Sequence, residues 1–153
     1  MPSLATTYSV QNYKLKTVGT LNGTLFPNDT TLYDGKLQID HVDTSKTTCT
    51  FGMSFPQGTV AVLDEAKVFI NWLTNPSIYV NNLSFEGSND NWSTFDSIAV
   101  FGSDIHEGWN YLNFRNKGNA KPAYNSYRFK GAVAGSCRVT EFRLTGVQTI
   151  EDL

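Results

Sequence analysis

The side chains most suited to catalysis are histidines, carboxylates and hydroxyls, and this chain brings few of them together. It has two histidines, His41 and His106. The run Asp104-Ile105-His106-Glu107 holds two carboxylates and an imidazole, but neighbouring residues of a strand point to opposite faces and cannot converge on one substrate. We find no activated-serine turn, phosphate-binding loop or Cys/His metal spacing. The sequence therefore predicts a protein that is not an enzyme.

The elements that position the remaining polar and aromatic groups are predicted to be short β-strands. The chain has 17 Thr, 14 Asn, 12 Ser and 12 Gly, and 13% of its residues are aromatic against 17% charged. Thr and aromatic residues favour strands, whereas Asn, Ser and Gly favour the turns between them. This composition is typical of an all-β domain and excludes a helical bundle.

Strand patterns recur at short spacing along the chain. In residues 48–55, alternate positions carry Cys49, Phe51, Met53 and Phe55, which predicts a strand with one buried face. Further strands are predicted at 13–18, 67–73, 79–86, 97–101, 109–114, 127–129 and 138–144. We expect one domain over 1–153, with its core at about 13–147, built as a jelly-roll β-sandwich of about eight antiparallel strands.

The segments between the predicted strands are expected to form loops and turns. Residues 21–32 and 115–126 are rich in turn formers and are expected to be long loops. Residues 61–67 are predicted to form a brief helical turn. Gly87 and Gly146 are expected to end strands where the backbone turns.

The net charge of −2 conceals an uneven distribution. Residues 1–114 hold five Lys/Arg against eleven Asp/Glu, whereas residues 115–143 hold seven Lys/Arg against one Glu. A basic segment can attract anionic ligands, but alternation along strands is expected to divide these charges between two surfaces. The acidic total and the lack of a nucleic-acid motif predict no nucleic-acid partner.

Two cysteines and four Asn-Xaa-Ser/Thr sequences bear on the cellular setting. Cys49 and Cys137 either pair in an oxidising compartment or stay buried thiols. The glycosylation sequences begin at Asn22, Asn28, Asn82 and Asn91. They favour an extracellular or cell-surface location.

Five features occur in the order typical of discoidin-like (coagulation-factor type C) domains. They are the turn Asp34-Gly35, a core strand at 49–55, a strand pair at 67–73 and 79–86, a turn at 87–92, and closing strands that contain Tyr127-Arg128-Phe129 and residues 141–146. The chain resembles this family over roughly residues 30–147, and it is similar to the family 32 carbohydrate-binding modules. The resemblance implies a galactose-binding-like sandwich that binds a ligand without transforming it.

The resemblance also implies a structural calcium ion. Many members hold calcium beside the Asp-Gly turn with a later Glu, and Asp34 and Glu141 match these positions. Calcium requires six to eight oxygen ligands, whereas Lys36 and Ile39 stand where further ligands are usual. Calcium is the only cofactor that the sequence suggests.

Sugar-binding members use loops at one end of the sandwich, which here correspond to residues 40–46 and 72–79. Trp72 and Tyr79 are the candidate aromatic platforms. The candidate polar groups are His41, Asp43, Asn71 and Asn75. An aromatic face packs on the C–H side of a sugar ring, and polar groups meet its hydroxyls. The expected partner is therefore a glycan or a glycosylated protein, and the expected role is recognition or cell adhesion within a larger extracellular protein.

Two alternatives remain open. The first is a protein–protein or scaffold module with no small-ligand site, a role that intracellular members of the superfamily also fill. The second is membrane adhesion through Trp72, Leu73, Ile78 and Tyr79, as in lipid-binding relatives. Because Lys and Arg are missing nearby, membrane contact is not expected.

Three further residues are predicted to be structural. Trp92 and Trp109 are expected to be core aromatics. Arg128 lies between Tyr127 and Phe129, so it should face away from both rings and pair with a carboxylate on the sheet surface.

Overall fold

The computed structural model describes residues 13–26, 48–70, 80–101, 105–133 and 139–151. In these ranges the chain forms ten β-strands and one short 3-10 helix. The strands are β1 (Tyr13–Thr20), β2 (Thr24–Phe26), β3 (Thr48–Ser54), β4 (Thr59–Ile70), β5 (Val80–Ser88), β6 (Asp96–Phe101), β7 (Gly108–Asn113), β8 (Ala123–Tyr124), β9 (Ser126–Val133) and β10 (Val139–Glu151); the 3-10 helix spans Arg115–Ala120.

The strands form two antiparallel sheets. The first sheet has the order β1-β10-β4-β7, with β8 also pairing with β4. The second has the order β2-β3-β9-β5-β6. This arrangement confirms the predicted all-β sandwich, while the extent of the single domain over 1–153 stays a prediction.

Buried aromatic rings connect the two sheets. In the second sheet, the ring centroids of Phe51 and Phe129 lie 5.3 Å apart, and those of Phe85 and Phe129 lie 4.6 Å apart. Phe142 on β10 reaches from the first sheet to within 5.4 Å of Phe51. Since each of these side chains is at most 1% exposed, they form the centre of the core.

The predicted alternation of β3 is confirmed by its side chains. Phe51 and Met53 are buried, as is Phe55 just after the strand, whereas Thr50 is exposed. The buried side chains belong to the main core cluster. Period-two patterning was therefore a sound guide where a strand has one solvated face.

The predicted helical turn at 61–67 is wrong, because β4 runs unbroken through it as a strand of 12 residues. Residues 59–63 are all buried. Val60 and Val62 form a small second cluster with Ala123, while Ala61 and Leu63 enter the main core. Both faces of β4 are covered here, so its sequence lacks the alternation that marks a half-buried strand.

The predicted pairing of strands 67–73 and 79–86 is also wrong. β4 pairs with β10, β7 and β8 in the first sheet, whereas β5 pairs with β6 and β9 in the second. The segment between β4 and β5 therefore joins the two sheets. Local sequence shows that both strands exist, but it does not show which partners they hydrogen-bond.

Gly87 and Gly146 do not end strands but lie within β5 and β10. A Cβ atom on Gly87 would lie 2.5 Å from the Tyr124 ring, and one on Gly146 would lie 2.1 Å from the Val62 carbonyl oxygen. Both positions therefore exclude a side chain because a neighbouring element approaches closely.

The two predicted loops contain more regular structure than expected. β2 lies within residues 21–32, and the segment 115–126 contains the 3-10 helix, β8 and the first residue of β9. In the described ranges, no helix has the length and apolar character required to cross a membrane.

Hydrogen bonds hold one end of the sandwich closed. Asn125 Nδ2 donates to the carbonyl oxygens of Phe55, Pro56 and Thr59 at 3.0, 3.1 and 2.9 Å. The Asn125 N–H donates to Asn89 Oδ1 at 2.9 Å. One residue, through its side chain and its backbone N–H, thus connects the β3–β4 turn to the start of β9 and the β5–β6 turn.

Candidate binding site

The candidate site lies at the other end of the sandwich, where strand ends flank the two predicted ligand segments. The six predicted ligand-contacting residues are outside the described residues: His41, Asp43, Asn71, Trp72, Asn75 and Tyr79. The flanking strands are described. β3 begins at Thr48, β4 ends at Ile70 and β5 begins at Val80.

Strand registers bring these ends together. In the second sheet, Thr48 pairs with Ala132 and Val80 pairs with Val133, so β3 and β5 both begin beside the end of β9. In the first sheet, Ile70 pairs with both Gly108 and Val139. β9 of the second sheet and β10 of the first are joined by only five residues, so these strand ends of the two sheets lie at the same end of the sandwich. We call this the loop end, defined by Thr48, Ile70, Val80, Phe101, Gly108, Val133 and Val139.

The described loop at this end, residues 105–108, is held in place by buried side chains. Ile105 is 8% exposed and belongs to the core cluster. Asn110 is 2% exposed, and its Oδ1 accepts the His106 N–H at 3.0 Å. Its Nδ2 donates to the carbonyl oxygens of His106 and Gly108 at 2.8 and 3.1 Å. The backbone of this loop is therefore fixed by a buried amide.

His106 and Glu107 are exposed on top of this anchored backbone. His106 Nδ1 lies 2.8 Å from the Glu107 carbonyl oxygen. Since a carbonyl oxygen only accepts hydrogen bonds, Nδ1 carries the proton in this contact, and in the neutral ring Nε2 is an acceptor. The loop therefore presents an imidazole acceptor beside a carboxylate.

The structure corrects the strand-based argument about residues 104–107. In the described part of that run, residues 105–107 are not in a strand, and both His106 and Glu107 face solvent. Gly108, the first residue of β7, adopts a φ of 95° directly after them. Sequence reasoning therefore missed two polar residues at the loop end; Gly108, directly after them, was the signal of a turn.

Trp92 and Trp109 are half-buried on the outer faces of the sheets, so the prediction that they are core aromatics is wrong. The Trp109 ring contacts Phe69 edge-on at 5.3 Å, and Lys67 Nζ lies 4.6 Å from its centroid. Trp92 sits in the β5–β6 turn with a φ of 67°. This left-handed conformation is costly for an aromatic residue.

The prediction for Arg128 is confirmed. Its Nε donates to Glu86 Oε1 at 2.7 Å on the outer face of the second sheet. Its guanidinium carbon lies 4.1 Å from the Trp92 ring centroid and 4.8 Å from that of Phe95. The ion pair and the stacking hold the left-handed turn on the sheet, which makes Arg128 a structural residue.

The turn below Trp92 is held by Ser88 and Asp90. Ser88 Oγ accepts the Trp92 N–H at 3.0 Å. The Asp90 carboxylate accepts hydrogen bonds from the Thr94 hydroxyl and from the Thr94 N–H, at 2.5 and 2.9 Å. The hydroxyl bond is the main cause that lowers the pKa of Asp90.

Of the two calcium positions, Asp34 lies outside the described residues and Glu141 is described. Glu141 is 1% exposed, and its Oε2 lies 2.7 Å from Arg143 Nη2. Within the described ranges, no group of three His, Cys, Asp or Glu side chains could hold a metal ion. This part of the chain thus offers calcium one carboxylate that already has a cationic partner, and does not form a calcium site by itself.

The basic segment is divided between the sheets and largely paired. β10 of the first sheet carries Arg143, and β9 of the second carries Arg128 and Lys130. Outside the strands, Arg115 and Lys121 pair with Glu65 and Asp64 at 3.4 and 2.7 Å. Among the described residues, the basic side chains are thus divided between the two sheets, while Arg128 and Lys130 share one face of β9.

The cysteine and glycosylation predictions are only partly described. Cys49 lies in β3, but its side chain is outside the description, as is the whole of Cys137. Asn22 and Asn91 are exposed, and Asn82 lies within β5. Asn28 falls outside the described residues, and the disulfide stays a prediction.

Solved structures show the same architecture. CBM62 of Clostridium thermocellum Xyl5A superposes with a TM-score of 0.62 at 16% identity, covering 84% of this chain and 97% of that one. An F5/8 type C domain from Bacteroides fragilis gives a TM-score of 0.55 at 10% identity, covering 93% and 99%. The fold is a discoidin-type β-sandwich.

A third structure has a sugar bound. CpGH89CBM32-5 from Clostridium perfringens, in complex with GalNAc-β-1,3-galactose, gives a TM-score of 0.60 at 12% identity and covers 89% of this chain and 96% of that one. No protein-family model and no curated protein matches the sequence. At these identities, the superpositions establish the fold and not the ligand.

Proposed function

We propose that this chain is a non-catalytic glycan-binding module whose site lies at the loop end. One observation carries the proposal: the strand ends next to both predicted ligand segments lie at the same end of the sandwich as the exposed side chains of His106 and Glu107. The fold adds support, because similar structures include modules named for carbohydrate binding.

In this proposal, two aromatic platforms receive the C–H face of a sugar and four polar groups meet its hydroxyls. The platforms are Trp72 and Tyr79. The polar groups are His41, Asp43, Asn71 and Asn75. The partner is a glycan or a glycosylated protein, and we propose an extracellular or cell-surface setting within a larger protein.

The proposal is tested by isothermal titration of the protein with galactose, GalNAc and GalNAc-β-1,3-galactose. We expect binding by the wild type and none by Trp72→Ala, with little change in melting temperature. Trp109→Ala is the matched control, since it truncates a half-buried tryptophan on a sheet face. A folded Trp72→Ala variant that binds as well as the wild type would exclude Trp72 as a platform.

Calcium stays part of the proposal through Asp34 and Glu141. A ligand that binds only the folded protein raises its stability by mass action. Added calcium should therefore raise the melting temperature of the wild type, but not that of Asp34→Asn. An unchanged wild-type melting temperature would remove calcium from the proposal.

A second candidate function, protein contact, is favoured by exposed apolar side chains on β6 and in the turn before it. Phe95 is 49% exposed and Val100 is 54% exposed. Exposed apolar patches often mark interaction surfaces. If Val100→Asp abolished a self-association or partner interaction of the wild type while sugar titrations stayed blank, this function would replace the first.

A further inference from the structure

We propose that the loop 105–108 is a ligand-contacting element that selects neutral glycans over acidic ones. In this proposal, His106 Nε2 and the Glu107 carboxylate each accept a hydrogen bond from a sugar hydroxyl. The inference rests on the proposed function and deepens it, since it adds two residues to the site and names the class of glycan.

The loop is preorganised for such contacts. Ile105 is held in the core and Asn110 fixes the loop backbone through three hydrogen bonds, although the loop itself lies at the surface. A ligand group held on a fixed backbone loses little conformational freedom when it binds. Exposed polar side chains on a buried anchor are therefore better suited to specific recognition than the same side chains on a loop without one.

The polarity of the presented groups defines the ligand. The contact between His106 Nδ1 and the Glu107 carbonyl oxygen leaves Nε2 as an acceptor in the neutral ring. The exposed Glu107 carboxylate is also an acceptor. Two acceptors on successive residues require donors from the ligand, and the hydroxyls of a sugar supply them.

The charge of Glu107 separates neutral from acidic glycans. A sulfate, phosphate or sialic-acid carboxylate beside it would bring two negative charges together and leave no proton to share. Like-charge contacts weaken binding and are a common means of specificity. We therefore expect neutral sugars to be preferred and their anionic counterparts to be rejected.

The position of the loop is consistent with a shared site. Gly108 pairs with Ile70, the last residue of β4. His106 and Glu107 directly precede Gly108 in the chain, and the predicted ligand segment that contains Trp72 directly follows Ile70. The loop thus precedes β7, and this segment follows the neighbouring strand β4, at the same end of the first sheet.

The test compares titrations of GalNAc-β-1,3-galactose and its sialylated form into wild type, His106→Ala and Glu107→Gln. Because the variant removes one neutral hydrogen bond, we expect His106→Ala to lose about tenfold in affinity for the neutral sugar. Glu107→Gln should reduce the ratio between the affinity for the neutral sugar and the affinity for the sialylated sugar. Lys117→Ala, on the 3-10 helix beyond the far end of β7, is the control and should bind as the wild type does.

Nitrogen-detected NMR of the imidazole gives a readout that a merely structural histidine would not show. On adding the neutral sugar, the Nε2 signal of His106 should shift while Nδ1 remains the protonated nitrogen. Sugar binding with no Nε2 shift and full affinity in His106→Ala would overturn this inference and leave the proposed function standing. Equal wild-type affinity for the sialylated form would overturn the selectivity. No binding by the folded wild type to either sugar would overturn the inference together with the galactose-type form of the proposed function.

Discussion

Arg128 shows how one side chain satisfies several structural requirements. It pairs with Glu86, which is 7% exposed, and it stacks on the rings of Trp92 and Phe95. A buried carboxylate without its cation is costly, and breaking such a pair typically destabilises a protein by 3–5 kcal/mol. The stacking on the two rings adds an apolar contribution to stability, and a long uncharged side chain at position 128 would retain it.

We therefore predict that Arg128→Met lowers the free energy of unfolding by about 3 kcal/mol. The double variant Arg128→Met/Glu86→Gln should lose less, because it removes the unpaired charge as well. Urea denaturation of the wild type, both single variants and the double variant measures the coupling. Arg115→Met is the control: its pair with Glu65 is exposed, so it should cost less than about 1 kcal/mol. If the two single losses simply added in the double variant, the ion pair would not be the cause.

Tyr127 is the second residue with a clear energetic role. Its hydroxyl donates to the Ala61 carbonyl oxygen and accepts the Tyr124 N–H at 3.0 Å. Burial raises the pKa of Tyr127 well above its usual value. The neutral phenol is thus favoured in the folded state, so its contribution to stability is present below about pH 10 and is lost at higher pH, where the unfolded chain ionises first.

We expect Tyr127→Phe to destabilise the fold by about 1–3 kcal/mol at neutral pH, because it removes both buried hydrogen bonds of the hydroxyl. Its stability should also fall less steeply than that of the wild type above about pH 10. Urea denaturation at neutral and alkaline pH measures both effects. Tyr111→Phe is the control, since Tyr111 is 54% exposed. If the free energy of unfolding fell equally with alkaline pH in the wild type and in Tyr127→Phe, the stabilising role of the neutral Tyr127 phenol would be contradicted.

Among the elements, the β5–β6 turn depends most clearly on a titrating group. The pKa of Asp90 is lowered by the hydrogen bond from the Thr94 hydroxyl, and then by that from the Thr94 N–H. A carboxyl with a lowered pKa in the folded state stabilises the protein above its unfolded pKa, and this contribution is lost as the pH falls through the folded value.

The melting temperature of the wild type should therefore fall as the pH is lowered below about 4. This fall should be smaller in Asp90→Asn, which cannot lose a charge, and in Thr94→Val, which lacks the hydroxyl donor. Differential scanning calorimetry across the acid range measures the slopes. If the melting temperature changed equally with pH in all three proteins, the Asp90 carboxylate would not stabilise the turn.

Elements with one solvated face were predictable from sequence, and those with two covered faces were not. Residues 48–55 show plain alternation, and Phe51, Met53 and Phe55 are buried as it indicates. Residues 59–63 of β4 are buried on both faces, so the alternation disappears and a helical turn was predicted instead. At the candidate site, the exposed pair His106–Glu107 was missed because a strand was assumed across a turn.

For the whole molecule, the order of short motifs was sufficient to predict the sandwich. Two of these motifs are the Gly/Ser/Asn turn that ends at Trp92 and the aromatic-Arg-aromatic strand around Arg128. Each depends on residues that are adjacent in the sequence, so each can be predicted from a short stretch of it. The partners of β4 and β5 cannot, since strand pairing joins residues far apart in the chain. The ligand is least predictable, because binding residues sit on loops whose sequence the fold does not determine.

The central claim, that the loop end binds glycans, is tested most directly by a glycan array probed with the purified protein in calcium and in chelator. We predict binding to a defined class of neutral glycans by the wild type, and loss of that binding in Trp72→Ala. A blank array from protein that circular dichroism shows to be folded and β-rich would contradict the claim and favour the protein-contact function.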